Sequence, residues 1–131
     1  MLSIDERKVN ARTKVFKAVF PGETNHYDTL FGGTALQWMD EAAFIAATRF
    51  TREKVVTVSS DKVNFKMPIP AGSIVELDAQ ITRVGNTSIE VNVDVYREDM
   101  YEDKRVLALH GSFVFVSLDK TKKLDGVGGL C

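Results

Sequence analysis

The sequence has little of what several protein classes need. A single cysteine, Cys131, excludes a disulfide within the chain and a cysteine-ligated zinc site, and it makes a reducing compartment the simplest expectation. Seventeen basic and eighteen acidic side chains give a net charge of -1, so no overall field attracts nucleic acid or an anionic membrane. The longest apolar run, Ala42–Ala47, is far shorter than the roughly 20 residues of a membrane-spanning helix.

Nothing in the sequence indicates a second domain. The 131 residues fit a single domain, with a core expected over residues 12–118 and a flexible tail over residues 119–131. The three prolines, at positions 21, 68 and 70, mark the boundaries of elements rather than a linker. Residues 1–8 carry too many charges for the apolar stretch of a signal peptide. We therefore expect a soluble protein in the cytoplasm.

A long helix is predicted from Thr34 to about Phe50, with arginines near its end. Apolar residues recur at a period near 3.6 and form one stripe: Leu36, Met39, Ala43, Ala47 and Phe50. Thr34 and Gln37 have the spacing of a capping box. Because Trp38 and Ile45 lie on the other side, the helix is apolar nearly all round, which predicts that it is buried.

The rest of the chain is predicted to be mainly strand. Residues 75–82 and 89–96 alternate between apolar and polar side chains across Gly85-Asn86, which predicts a hairpin with one dry and one wet face. The wet face of the first strand holds Glu76, Asp78, Gln80 and Thr82. Further strands are predicted at residues 12–20, 55–60, 63–67 and 106–118. The patterns together predict an α+β fold in which an antiparallel sheet of about five strands curls around one long helix.

Two glycines stand just before the predicted helix. Gly32 and Gly33 allow close backbone approach, and the first N–H groups of a helix are unpaired donors. This segment can form an oxyanion site without a charged side chain, or it can be only the turn into the helix. Asp40 lies at the edge of the apolar face, where it can act on a carbonyl held by those donors or be an ordinary surface aspartate.

The other polar residues give weaker indications. His26 in the loop before the helix can be a base or a solvated residue, and His110 is expected to be a satisfied residue of the last strand. Neither has a second histidine at short spacing, so no metal site is predicted. Arg83, with the hydroxyls of Thr87 and Ser88, can hold a phosphate or simply border the hairpin turn.

Two motifs carry a resemblance to a known family. Asn25-His26-x-x-x-Leu30-Phe31-Gly32-Gly33, followed by Met39-Asp40-Glu41-Ala42, resembles the signature of the hotdog-fold acyl-CoA thioesterases, of the cytosolic acyl-CoA hydrolase and YciA-like types. Later segments agree with the same family in the same order: residues 56–59, 63–65, 68–72, 83–88 and 114–117. The resemblance covers about residues 14–120.

The resemblance implies a hotdog fold and hydrolysis of the thioester of acyl-CoA to a carboxylic acid and CoA. It implies a site at a dimer interface, where Asn25 of one subunit faces Asp40 of the other, and a homodimer or a trimer of dimers. Asp40 would be the general base or the nucleophile, Asn25 would orient water or the carboxylate, and the N–H groups at Gly32 and Gly33 would polarise the carbonyl. The expected contacts to CoA are Ser60, Asn64, Arg83, Thr87 and Ser88. CoA belongs to the substrate, and no separate cofactor is expected.

The chain departs from the family pattern in one loop. Tyr27-Asp28 stands where YciA-like enzymes often have Asn-Gly, so a negative charge is added near the expected site. Two other functions remain open at this point. One is a non-catalytic module that binds or senses acyl thioesters on the same fold. The other is a hotdog hydratase or dehydratase that uses His26.

Overall fold

The computed structural model describes residues 2–119, without the side chains at positions 61 and 62. It has two α-helices, a 3-10 turn at Pro21–Glu23 and five strands. In chain order the elements are α1 (Ile4–Ala11), β1 (Thr13–Ala18), α2 (Gly32–Thr51), β2 (Val55–Phe65), β3 (Ser73–Val84), β4 (Ser88–Asp99) and β5 (Arg105–Ser117). All neighbouring strands pair antiparallel, in the order β1-β3-β4-β5-β2. The predicted α+β fold of one long helix and an antiparallel sheet is confirmed.

The strand order explains the position of the long helix. β1 and β2 are the two edges of the sheet, and α2 lies between them in the chain. Its 20 residues span about 30 Å, and the helix contacts all five strands. The sheet therefore curls around α2, and residues of α2 can face side chains from either edge.

The predicted apolar stripe of α2 forms the core. Met39, Ala43 and Ala47 have no exposed surface and Phe50 is 2% exposed. A Cβ atom on Gly111 of β5 would lie 3.0 Å from the Met39 Cε atom, so the absence of a side chain there lets the helix pack closely on the sheet. Burial of a side chain as large as Met39 or Phe50 contributes about 2 kcal/mol.

The other side of α2 corrects the prediction that the helix is buried all round. Trp38 is buried, but Phe44 and Ile45 are 45% and 41% exposed. On the edge strand β2, Val56 and Val58 are exposed as well. Exposed apolar side chains therefore occur on both α2 and the edge strand β2.

The start of α2 differs from its prediction. The helix begins at Gly32, two residues early, and Phe31 at the N-cap position gives no side-chain hydrogen bond. The predicted capping box of Thr34 and Gln37 is wrong, because both residues lie inside the helix. Gln37 Nε2 donates to Glu41 Oε1 at 3.2 Å instead. The glycines thus belong to the first helical turn, where backbone N–H groups lack helical acceptors.

The strands follow the prediction with two corrections. The separate strands predicted at residues 55–60 and 63–67 are one strand, β2, with register shifts after Thr57 and after residue 61, as β-bulges produce. Glu76 and Asp78 of the predicted wet face are 6% and 3% exposed. Arg105 Nη2 lies 2.8 Å from Glu76 Oε1, and Arg12 Nε donates to Asp78 Oδ1 at 2.9 Å. Asp78 also raises the pKa of Arg12 by hydrogen bonding and charge.

Helix α1 has no counterpart in the predictions. Ser3 caps it, in a capping box with Glu6. Arg7 Nη2 donates to the Phe50 carbonyl at 3.0 Å, and Arg49 Nη2 donates to the Asn10 carbonyl at 2.8 Å. Arg7 of α1 therefore binds a carbonyl at the end of α2, and Arg49 of α2 binds a carbonyl at the end of α1. The helix dipole favours positive charge at both of these C-terminal ends.

Two further predictions concern the C-terminal tail and a membrane-spanning helix. The predicted flexible tail lies outside the described residues except for Asp119. Within residues 2–119, neither helix is long and apolar enough to cross a membrane.

Candidate active site

Asp40 lies where α2 faces the edge strand β2. The residue is half-buried, and its Oδ1 accepts a hydrogen bond of 2.8 Å from the Thr57 hydroxyl. The position at the border of the apolar face is therefore confirmed. Thr57 stands next to a register shift of β2, where a bulge redirects side chains.

A cavity of about 330 Å³ runs along this part of the helix. Among the predicted site residues, Gly33, Asp40 and Ser60 line it, and Gln37 and Thr57 line it as well. Gly33 is exposed, and a Cβ atom there would meet no atom within 4 Å. The cavity is thus open at the helix start and carries hydroxyl, amide and carboxylate groups along its length.

Gly32 borders a different cavity. This second cavity, of about 200 Å³, is lined mainly by apolar side chains, among them Leu30, Phe65 and Ile69. A Cβ atom on Gly32 would lie 3.6 Å from the Phe65 ring. The first turn of α2 therefore separates a polar cavity on the Gly33 side from an apolar cavity on the Gly32 side.

The distance along the helix limits what one chain can do alone. Gly33 and Asp40 are seven residues apart in α2, which corresponds to about 10 Å along the axis. The N–H groups of the first turn point beyond the helix start, so an oxygen bound there lies still farther from Asp40. The helix start and Asp40 of one chain therefore cannot both contact the same carbonyl group.

Asn25 is fixed in a tight turn of the loop before α2. Its Oδ1 accepts hydrogen bonds from the Tyr27 N–H at 2.8 Å, the Thr29 N–H at 3.3 Å and the Thr29 hydroxyl at 3.1 Å. Asp28, inside this turn, has a φ of 59°, a conformation that asparagine and aspartate tolerate. Because Oδ1 accepts three hydrogen bonds inside the turn, the other end of the amide, Nδ2, faces away from the turn.

The remaining predicted residues lie apart from Asp40. Asn25 does not line the cavity that contains Asp40. Arg83 and Ser88 line a third cavity, of about 230 Å³, at the turn between β3 and β4. Thr87 is in the same turn, where its carbonyl accepts from the Ser117 N–H at 3.1 Å, and Asn64 is exposed on β2.

The two histidines take no part in the Asp40 cavity. The rings of His26 and Tyr27 lie 3.9 Å apart in the exposed loop. His110 is in β5, as predicted, with Nδ1 2.6 Å from Asp94 Oδ1 of β4. In residues 2–119, no three His, Cys, Asp or Glu side chains are grouped so that they could hold a metal ion.

Thr57 and Gln37 are site residues that the sequence patterns did not predict. Thr57 belongs to the segment Val56-Thr57-Val58-Ser59, which contributed to the family resemblance without a role assigned to the threonine. Its partner is 17 positions away in the chain, so no local pattern connects the two. Only the pairing of β2 with the sheet and the packing of α2 bring them together.

Comparison with known proteins identifies the family. A family model, the Thioesterase superfamily, matches residues 27–104. An uncharacterized acyl-CoA thioester hydrolase of Bacillus subtilis, YkhA, is 39% identical over 120 residues, which cover 90% of this chain and 70% of that protein. The chain belongs to the Thioesterase superfamily, and the resemblance found in the sequence is confirmed.

Solved structures agree with the fold. An acyl-CoA hydrolase from Staphylococcus aureus, in complex with butyryl-CoA, CoA and CoA disulfide, is 36% identical and superimposes with a TM-score of 0.82 over 88% of this chain and 71% of that one. An apo-hexameric acyl-CoA thioesterase is 34% identical, with a TM-score of 0.83 over 88% and 74%. The predicted hotdog fold is confirmed. Structures of the S. aureus enzyme also exist with an aspartate, a threonine or an asparagine replaced by alanine.

Proposed function

We propose that the protein hydrolyses acyl-CoA thioesters to a carboxylic acid and CoA. The main support is the Asp40 carboxylate, which accepts a hydrogen bond from the Thr57 hydroxyl and lines an open cavity that extends to Gly33 at the start of α2. A carboxylate oriented by a hydrogen bond, in a cavity that admits a ligand, suits general-base or nucleophilic catalysis. The butyryl-CoA and CoA bound by the S. aureus neighbour support this substrate class.

The spacing of three polar residues supports their assignment to the site. The asparagine, aspartate and threonine replaced in the S. aureus enzyme follow one another at separations of 15 and 17 residues. Asn25, Asp40 and Thr57 follow one another at the same separations. We therefore assign the chemistry to Asp40 and the orientation of its carboxylate to Thr57. The role of Asn25 is to donate a hydrogen bond from its amide Nδ2.

The reaction breaks the bond between the acyl carbon and sulfur. Asp40 either takes a proton from the attacking water or attacks the carbonyl carbon itself, and in the second case water then cleaves the mixed anhydride. In the first route the acyl carbon gains the oxygen of water. In the second it first bonds an oxygen of Asp40, and water then cleaves the anhydride into the free carboxylic acid and the Asp40 carboxylate. In both routes the carbon–sulfur bond breaks and the thiolate of CoA gains a proton. Backbone N–H groups at Gly32 and Gly33 would stabilise the oxyanion that forms on the carbonyl oxygen.

The site of this proposal needs two copies of the chain. Because the start of α2 lies about 10 Å from Asp40 along the helix, the donors for a carbonyl at Asp40 come from a second copy, together with its Asn25. The exposed apolar residues Phe44 and Ile45 on α2 and Val56 on β2 provide a surface for that copy. A hexamer built from three such dimers is supported by the hexameric neighbour.

The remaining parts of the proposal concern CoA and location. Ser60 lies in the Asp40 cavity, whereas Arg83, Thr87 and Ser88 lie at the β3–β4 turn, so in an assembly they would contact a CoA bound mainly by another copy. Asn64 is the fifth proposed contact. The proposed reaction uses water as its only second reactant. We also place the protein in the cytoplasm, which the single cysteine supports.

Thiol release from a panel of acyl-CoAs tests the proposal. Wild-type protein should release CoA, and Asp40→Asn should lower kcat by about 100-fold to 10,000-fold while the fold is kept, because an amide oxygen can still accept from Thr57. Glu41→Gln, at the exposed neighbouring carboxylate, is the control and should keep wild-type turnover. Full turnover by folded Asp40→Asn would exclude Asp40, and acyl-CoA binding without thiol release would identify a binding module instead.

A further inference from the structure

We infer that the apolar cavity beside Gly32 holds the acyl group of the substrate and limits it to short chains. This inference rests on the proposed function, since it takes an acyl-CoA as the ligand. Ala35 and Met67, which line the cavity, would contact the acyl group. The occupant is an alkyl chain of a few carbons.

The position of the cavity supports this occupant. Gly32, Ala35 and Leu30 line it at the start of α2, where the N–H groups of the first turn point outward. A thioester whose carbonyl oxygen accepts from those N–H groups directs its two substituents to the two sides of the helix start. One side is the polar cavity along Gly33, and the other is the apolar cavity along Gly32.

The lining separates the two cavities by chemistry. The cavity at Gly32 is closed by Leu109 and Ile69, which are 2% and 3% exposed, and Phe65 and Met67 stand at its mouth. The cavity at Gly33 contains the Asp40 carboxylate, the Gln37 amide and two hydroxyls beside the side chains of Leu36 and Phe113. An alkyl chain there would remove water from polar groups that it cannot bond, so the apolar cavity is the favourable place for it.

The walls of the apolar cavity are fixed by backbone hydrogen bonds. The Leu30 N–H donates to the Ile69 carbonyl at 2.7 Å, and the Ala71 N–H donates to the Asp28 carbonyl at 3.0 Å. The Met67 N–H donates to the Ala108 carbonyl of β5 at 3.1 Å. Three chain segments are thereby joined around the cavity, so its size is set by the fold rather than by a mobile loop.

The size of the cavity sets the length of the chain. Its volume of about 200 Å³ is below the roughly 300 Å³ at which pockets for small molecules usually begin. Compared with the roughly 30 Å³ of a group the size of water, a cavity of this size suits a short alkyl chain rather than a long one. Butyryl and hexanoyl groups fit, and the distal carbons of lauroyl or palmitoyl groups would remain in contact with water.

The test is the chain-length profile of kcat/KM, from acetyl-CoA to palmitoyl-CoA, for the wild type and three variants. Wild-type kcat/KM should be highest for butyryl-CoA or hexanoyl-CoA and at least about tenfold lower for lauroyl-CoA. Met67→Ala enlarges the cavity at a partly exposed position and should move the optimum to longer chains. Ala35→Val fills it from the helix and should lower hexanoyl-CoA turnover about tenfold relative to acetyl-CoA.

Leu36→Ala is the matched control, because Leu36 follows Ala35 on the helix but lines the polar cavity. It should leave the chain-length optimum unchanged. A shifted optimum in Leu36→Ala, with none in Met67→Ala or Ala35→Val, would place the acyl group in the polar cavity and overturn the inference. Equal kcat/KM for all chain lengths in the wild type would overturn it too. In both cases the hydrolysis itself persists, whereas the absence of thiol release from every acyl-CoA would refute the proposed function.

Discussion

The turn around Asn25 allows its structural role to be separated from its role in the reaction. Its Oδ1 accepts three hydrogen bonds, from two backbone N–H groups and the Thr29 hydroxyl, while Nδ2 is the end of the amide available to a ligand. Asn25→Asp replaces the amide by a carboxylate of nearly the same shape. The carboxylate can accept all three hydrogen bonds but cannot donate one.

The structural role of Asn25 is measured by the free energy of unfolding, and its role in the reaction is measured by kcat. Asn25→Asp should leave the free energy of unfolding close to that of the wild type at neutral pH, because its acceptors are kept. Asn25→Ala loses three partly exposed hydrogen bonds and should lower it by about 2 kcal/mol, which corresponds to a fall in Tm of about 8 °C. Both variants lose the Nδ2 donor and should lower kcat about 100-fold, as removal of one donor to a transition state does.

Thermal melting and thiol release, measured on the same preparations, check both magnitudes. Asn10→Asp, which makes the same change of charge at an exposed position of α1, is the control and should leave kcat unchanged. Wild-type kcat in Asn25→Asp would refute a role for the amide donor. A large fall in Tm in Asn25→Asp would show instead that the orientation assigned to the amide is wrong.

Two further predictions concern the polar cavity. In Gly33→Ala the added methyl group meets no atom within 4 Å, and alanine is a better helix former than glycine, so Tm should stay the same or rise. Because the methyl group enters the cavity, kcat/KM should fall. An unchanged kcat/KM would show that Gly33 is not part of the site. Thr57→Val keeps the shape of the side chain but removes the donor to Asp40, and kcat should fall about tenfold or more, as expected for a hydrogen bond to a charged group. Thr57→Ser, which keeps the hydroxyl, should recover most of that activity, and equal losses in both variants would contradict the role of the hydroxyl.

Local patterns were sufficient to predict the main elements of the fold. The apolar stripe of α2 and the alternation in β3 and β4 repeat over many residues. Several residues within each element therefore indicate the same secondary structure. The burial of Glu76 and Asp78 was not predictable in this way. Alternation states that both lie on the outer face of the sheet, but Arg12 and Arg105, which cover them, are 66 and 29 positions away.

The same distinction applies to the site. Gly32, Gly33 and Asp40 lie on one helix, so their relation follows from helical geometry alone. Thr57 reaches Asp40 only through the packing of an edge strand with a register shift, which no spacing rule contains. The N-terminal helix was missed for a different reason. The capping box of Ser3 and Glu6 is a readable signal, but the helix is short and charged, and it has no apolar stripe that would indicate packing on the core.

The strongest consequence of the helical geometry is that activity should be shared between copies of the chain. If Asp40 of one copy acts on a carbonyl held by Asn25 and the helix start of another, Asp40→Asn and Asn25→Asp remove different halves of each site. In a mixed dimer of the two variants, one site has both substitutions and the other has neither. Equal amounts, unfolded and refolded together, should therefore recover about a quarter of wild-type activity, since about half of the dimers are mixed and each has one intact site. Each variant refolded alone is the control and should stay nearly inactive. If the mixture is no more active than its components, although exchange of subunits is demonstrated, Asn25 and Asp40 act within one chain and the two-copy site is refuted.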